Sequence, residues 1–267
     1  MHVIAPASSA NVGAGFDALG LALDLPFEVV VDAPGPDGFL LAEPTHPAAA
    51  AHREAGGTGD LWWRSRIPPG RGLGFSGAAA VAGAFAACGE VDRAFDAAAA
   101  VEGHPDNAAP SAYGGFCVAA GGMVIRLDMP SGLEVVAWWP ETTTSTKRSR
   151  SSLPERVLFT DAVFNVGRAA LFVAAVASGR LDALATGVED RLHQDSRFAQ
   201  VPASRDCAEM MRSAGALAVW LSGSGPTVVA LVDEGTAEQV LRETSGAGGN
   251  ARRLVVAQHG VRRVPES

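Results

Sequence analysis

The chain has 267 residues, 48% of them hydrophobic and 19% charged, enough for one large domain or two modest ones around a sizeable core. A formal charge of -8 with a pI near 5.2 argues against a nucleic-acid or anionic-membrane partner, since both need basic patches. No uninterrupted apolar run approaches the ~20 residues that span a bilayer and no leader-like segment opens the chain, so a cytoplasmic protein working on small molecules is expected.

In chain order, β-branched and aromatic runs at 3–4 and 27–31 predict strands, with the small-residue stretch ASSANVGAGFDALG between them as a functional loop. Residues 33–60, rich in Pro, Gly and Ala, hold a short helical segment at 47–54, and 61–66 predicts a strand entering a glycine-rich loop. From 76 to 88, SGAAAVAGAFAAC predicts a helix with Val81 and Phe85 four apart on one face. A second helix over 94–102 stops at Gly103. Runs at 115–119 and 123–127 predict a hairpin, and 133–139 a further strand. The polar, basic stretch PETTTSTKRSRSSLP then marks a boundary, giving domains of 1–140 and 141–267. Beyond it the pattern predicts helices over 157–178, 181–192, 205–214 and 237–244, with Arg197 in a loop. Strands follow over 216–222, 227–232 and 253–256, the first two joined by a Gly-Ser-Gly-Pro turn. Strands and helices mixed in this way give an α+β fold. Cys88, Cys117 and Cys207, uneven in number and without metal-ligand spacing, read as buried thiols in a reducing compartment.

Three polar stretches interrupt this pattern. Pro68, Pro69, Gly70, Arg71, Gly72, Leu73, Gly74, Phe75, Ser76, Gly77 and Ala78 lead into the first alanine-rich helix. Glycines there let backbone N–H groups converge on an anion, and a helix N-terminus adds about half a positive charge. The loop lacks the lysine of a Walker sequence, and Lys147 is the only lysine in the chain. Taken alone it is either a phosphate cradle or a turn before a core helix. The second stretch, EGHPDNAAPSAYGG, gathers Glu102, His104, Asp106 and Asn107. Alone it is a solvated turn; beside a phosphate loop, its acid could hold Mg²⁺ and its other groups could hydrogen-bond a polar substrate. The third, LSGSGPTVVAL, places Gly223, Ser224 and Gly225 between apolar strands, where a plain β-turn explains them equally well.

Together with PASSANVGAGFD near the N-terminus, these stretches in this order resemble the motifs of the GHMP kinases, and within them the homoserine kinase family. The later segments TSTKRSRSSLP, DAVFNVGRAALFVAA and DRLHQDSR resemble that family's C-terminal half. The resemblance implies a ribosomal-S5-like N-terminal domain joined to a ferredoxin-like C-terminal domain, with ATP between them. It implies Mg²⁺-assisted transfer of a phosphoryl group from ATP to the hydroxyl of L-homoserine, and a homodimer. By resemblance the nucleotide is held by residues 68–78 with Gly223, Ser224 and Gly225, and the metal by Ser76 and Glu102. The amino acid falls to Asn11, Asp17, His104, Asp106, Asn107, Arg150 and Arg197, the arginines suiting a carboxylate and the aspartates an ammonium.

Related kinases read GLGSS where this chain reads GLGFS, so Phe75 replaces one hydroxyl while keeping its backbone N–H. Arg71 is a candidate for the charge a Walker lysine supplies. No general base is assigned, Asp17 being the candidate to test. Thr45, Trp62 and Trp63 are candidates for the adenine. Two other readings stand beside this one: a GHMP kinase for another small alcohol, and a catalytically inactive ligand-binding relative.

Overall fold

A computed structural model describes residues 1–31 and 35–265, apart from the side chains of residues 146 and 147. The opening of the 33–60 stretch and the Lys147 side chain lie outside the described residues.

Two antiparallel sheets organise the chain. In the first, β1 (His2–Ala10) pairs along its length with β2 (Leu19–Val31). Both strands outrun their predicted cores, because the small residues PASSA are buried between neighbours and continue the ladder. The loop between them therefore shrinks to residues 11–18. Further along the sheet come β3 (Leu40–Leu41) and β4 (Leu61–Ser65), while β5 (Phe116–Ala120) pairs the other end of β2 and carries β6 (Met123–Leu127) through a two-glycine hairpin. The second sheet has the order β10 (Gly249–Leu254), β7 (Leu133–Pro140), β9 (Val228–Asp233), β8 (Ala218–Leu221). By sheet membership β7 thus goes with the C-terminal half. The chain then returns: β11 (Arg262–Arg263) pairs with β1, and Val256 bridges Leu23.

Four helices cover the first sheet: α1 (Pro47–Glu54), α2 (Phe75–Cys88), α3 (Val91–Glu102) and α4 (Pro105–Tyr113). α2 is buried on every side from Gly77 to Ala86, as a helix that is apolar all round must be. Its Gly83 allows close contact with α1, since a Cβ there would overlap the Ala48 carbonyl. The expected loop at 105–113 is α4. Pro105 suits the first turn, but Pro110 lacks the N–H that the Asp106 carbonyl would accept. Gly20 makes room for both: a Cβ there would meet the Asp106 carbonyl and the Pro110 ring.

The polar stretch after β7 contains a short helix, α5 (Thr146–Ser151). The 20-residue α6 (Phe159–Ser178) follows, and alone among the described helices it has the length and composition to cross a membrane. Asp161 and Arg168 interrupt its apolar run, which is why no such span stands out in the sequence. The helix expected over 181–192 breaks into a 3₁₀ turn, α7 (Leu184–Gly187) and a loop. Gly187 packs on Phe172, and Asp190 turns the chain by accepting the N–H groups of Leu192, His193 and Gln194. Arg197, expected in a loop, lies on α8 (Gln194–Phe198). α9 (Pro202–Ser213) and α10 (Glu234–Ser245) back the second sheet. Phe116, Phe172 and Trp220, with ring centroids 5.5 and 6.5 Å apart, carry one core from sheet to sheet.

Candidate active site

The glycine loop follows β4 and opens α2. Gly70, Gly72 and Gly74 all have φ near +70°, the left-handed region that disfavours a Cβ. Close packing adds a second constraint: a Cβ on Gly72 would overlap the Ser222 carbonyl, and one on Gly74 the Ser8 hydroxyl. The loop is fixed by backbone groups on both sides. Ser8 N–H donates to Leu73 O (3.2 Å), Thr227 N–H to Arg71 O (3.2 Å), and the Ser222 hydroxyl to Gly72 O (2.6 Å). It encloses a cavity of about 450 Å³ lined by residues 70–77, Glu102, His104, Asn107, Thr144, Arg150, Gly223 and Ser224. Pro68 and Pro69 lead into the loop, Ala78 lies fully buried beneath it, and Gly225 sits behind the wall, its carbonyl accepting from Thr144 Oγ1.

Arg71 lines the cavity, and its guanidinium donates to the carbonyls of Pro140 and Thr142, fastening the loop to the end of β7. Phe75 turns its ring onto Trp63 and Phe27, at centroid distances of 5.7 and 5.3 Å. Trp63 in turn stacks on His46 at 4.7 Å, so this tryptophan belongs to an aromatic cluster at the cavity's edge. The buried indole N–H of Trp62 has no partner among the described residues, and Thr45 is exposed. On the cavity wall the Ser76 hydroxyl donates to Glu102 Oε1 at 2.6 Å. Burial raises the Glu102 pKa, and the Ser76 hydrogen bond partly offsets it.

Beyond His104 lies a cluster of charged side chains. Arg150 Nη2 donates to both oxygens of Asp17 (2.7 and 2.8 Å) and to His104 Nδ1 (3.2 Å). Burial, then Arg150, lower the His104 pKa, and the accepting Nδ1 puts the imidazole proton on Nε2. Phe16 lies between the two arginines, its ring centroid 5.3 Å from Arg150 Cζ and 5.1 Å from Arg197 Cζ. Arg197, 4% exposed, donates to Gly223 O at 2.8 Å and lines a neighbouring cavity rather than the first one. Asp106 is 2% exposed, and burial followed by the charge of Asp17 pushes its pKa up to about 7. Six buried side-chain polar atoms lack a partner among the described residues, and three of them, Asp106 Oδ1, Arg150 Nε and Arg197 Nε, belong to this cluster. Such a concentration marks a place built for a polar ligand.

Asn11 stands at the start of the 11–18 loop. Its Nδ2 donates to Gly223 O and its Oδ1 accepts from Asp17 N–H, so its amide joins two loops. The 11–18 loop needs such ties, because Asn11, Val12 and Asp17 all have positive φ. Residues not singled out in the sequence supply the rest. Asn165 donates to Ala14 O and to Asp190 Oδ1, and His193 Nε2 donates to Gly13 O at 2.8 Å while its Nδ1 accepts from Arg197 at 3.4 Å. The signal was present in DRLHQDSR, whose Asp190, His193, Gln194 and Arg197 follow a spacing of three, four and seven.

Residues 45–115 match the family model for the GHMP kinases N terminal domain, and residues 172–249 match that for GHMP kinases C terminal, which sets the class of the fold. A homoserine kinase of Thermus thermophilus is 40% identical, over 94% of this chain and 93% of that protein. One of Moorella thermoacetica is 39% identical over 84% and 85%. The crystal structure of homoserine kinase from Cytophaga hutchinsonii superimposes with a TM-score of 0.86 at 26% identity, over 99% of this chain and 97% of that one. The chain belongs to the homoserine kinase branch of the GHMP kinases.

Proposed function

We propose that the chain transfers the terminal phosphoryl group of ATP to the side-chain hydroxyl of L-homoserine, giving O-phospho-L-homoserine. One observation carries this reading: the glycine loop and the N-terminus of α2 face the same cavity as His104, Asn107 and Arg150, so phosphate and amino acid meet across one space. The loop amides and the dipole of α2 take the triphosphate in place of a lysine. Ser76 and Glu102 offer two adjacent oxygens, a donor set that suits Mg²⁺ completed by phosphate and water. That cation, when bound, would draw charge from the phosphates.

At the other end, Arg197 and Arg150 suit the α-carboxylate, and Asp17 the ammonium. The hydroxyl oxygen attacks the γ-phosphorus, the bond to the β,γ-bridging oxygen breaks, and ADP leaves. Asp17 is held by Arg150 and Asp106 lines neither cavity, so no protein base is assigned and an oxygen of the transferred phosphoryl group takes the hydroxyl proton. The test is ADP release by purified protein with ATP and Mg²⁺ over homoserine, threonine, pantoate and mevalonate. Turnover with homoserine well above the others is expected. Nucleotide binding without ADP release on any alcohol would replace this reading with that of an inactive relative.

The protein acts as a homodimer in the cytoplasm in this reading. Phe159, Val163 and Val166 of α6, 83, 55 and 71% exposed at helical spacing, form an apolar stripe that a second copy could cover. Sedimentation of Val166→Glu as a monomer, against a dimeric parent, is the expected result.

A further inference from the structure

The two groups assigned to opposite ends of the amino acid grip each other in this structure. Arg150 Nη2 meets both Asp17 oxygens, at 2.7 and 2.8 Å, where an ammonium would otherwise sit against Asp17 and a carboxylate against Arg150. Resting on the function proposed above, we propose that the Asp17–Arg150 ion pair is a place-holder for the substrate's own charges. It makes the pocket select alcohols that carry both an ammonium and a carboxylate.

Three features support the exchange. The pair is accessible, with side chains 40 and 36% exposed, so water screens it and parting it costs little. Beside it are polar atoms with no partner among the described residues, Arg197 Nε and Asp106 Oδ1, both on nearly fully buried side chains, and Arg150 Nε is likewise unpartnered among them. Finally, Arg150 rides on the short, six-residue α5, whose Ser149 donates to Ser224 O at 3.2 Å. A zwitterion inserted between Asp17 and Arg150 gives each a new counter-charge. A ligand with one charge satisfies one of them and leaves the other facing a pocket from which water is being expelled, a state that costs more than the contact it forgoes.

The exchange has a signature that a simple binding role lacks. Calorimetry should be run with homoserine, with aminopropanol (the same alcohol without the carboxylate) and with γ-hydroxybutyrate (without the ammonium). On the parent enzyme the singly charged alcohols should bind roughly a hundredfold more weakly than homoserine. In Arg150→Gln, homoserine should weaken but aminopropanol should bind about tenfold more tightly than to the parent, because Asp17 is already free. Asp17→Asn, whose amide keeps the left-handed backbone accessible, should likewise gain for γ-hydroxybutyrate. Unchanged or weakened binding of aminopropanol to a folded Arg150→Gln and of γ-hydroxybutyrate to a folded Asp17→Asn would overturn the place-holder. If these gains appear while homoserine fails to bind the parent, the ion pair stands and the substrate reading falls.

Discussion

The two ends of the cavity are made of different material. The end proposed for the phosphates is largely backbone: Gly70, Gly72 and Gly74 in left-handed conformations, braced by the Ser8 and Thr227 amides, which donate to Leu73 O and Arg71 O, and by the Ser222 hydroxyl on Gly72 O. The end proposed for the amino acid consists of side chains, Asp17, His104, Asp106, Arg150 and Arg197, drawn from four separate stretches. A backbone site tolerates changes of side chain but not of conformation, whereas a side-chain site fails group by group and carries titrations. Phe75 illustrates the first half of that rule, since the loop keeps its amides while its ring is absorbed by Trp63 and Phe27.

The largest effect should come from the backbone end. Gly72→Ala forces a Cβ against two carbonyls at φ +76° and should cost about 3 kcal/mol or more, read from a denaturant midpoint, with nucleotide binding lost as well. At the other end, Arg197→Ala should lower kcat/KM for homoserine by roughly a thousandfold while nucleotide affinity measured by titration stays put. If both affinities fell together, the division between the two ends would not hold.

Asp106→Asn should lower kcat/KM for homoserine by roughly a hundredfold. In the parent, kcat/KM should rise with pH through about 7 as Asp106 ionises, and the variant should lose that limb. Stability should run the other way. The folded state holds the Asp106 proton up to about 7 while the unfolded state releases it near 4, so Asp106's contribution is present below about pH 4 and is lost as pH rises to 7. Melting curves of parent and variant across that window check the sign. The smallest effect should belong to Phe75→Ser, which opens the aromatic cluster. It should cost on the order of 1–2 kcal/mol and change ATP affinity only a few-fold.

The same contrast explains what could be foreseen. The glycine loop was legible because glycines before an alanine helix leave few alternatives for the backbone. The charged cluster was legible only through family resemblance, since nothing local says that Arg150 and Asp17, 133 positions apart, share a hydrogen bond. α4 was hidden by its composition: a proline at its sixth residue and polar neighbours look like a turn until Gly20 is seen to receive it. The break at 188–193 was hidden for the opposite reason. Helix-forming residues surround Asp190, and only the three backbone N–H groups that donate to its carboxylate reveal the turn. The carbonyls of Pro140 and Thr142 that Arg71 reaches were invisible from the sequence.

The pairing of β11 with β1, with Val264 N–H donating to His2 O, bears on how the molecule is made. β1 acquires its outer neighbour only when residues 262–263 fold back onto it, so that edge of the first sheet stays open until this distant segment arrives. Deleting those two residues should therefore leave the parent catalytic groups untouched yet expose a strand edge to other nascent chains, trading solubility rather than chemistry.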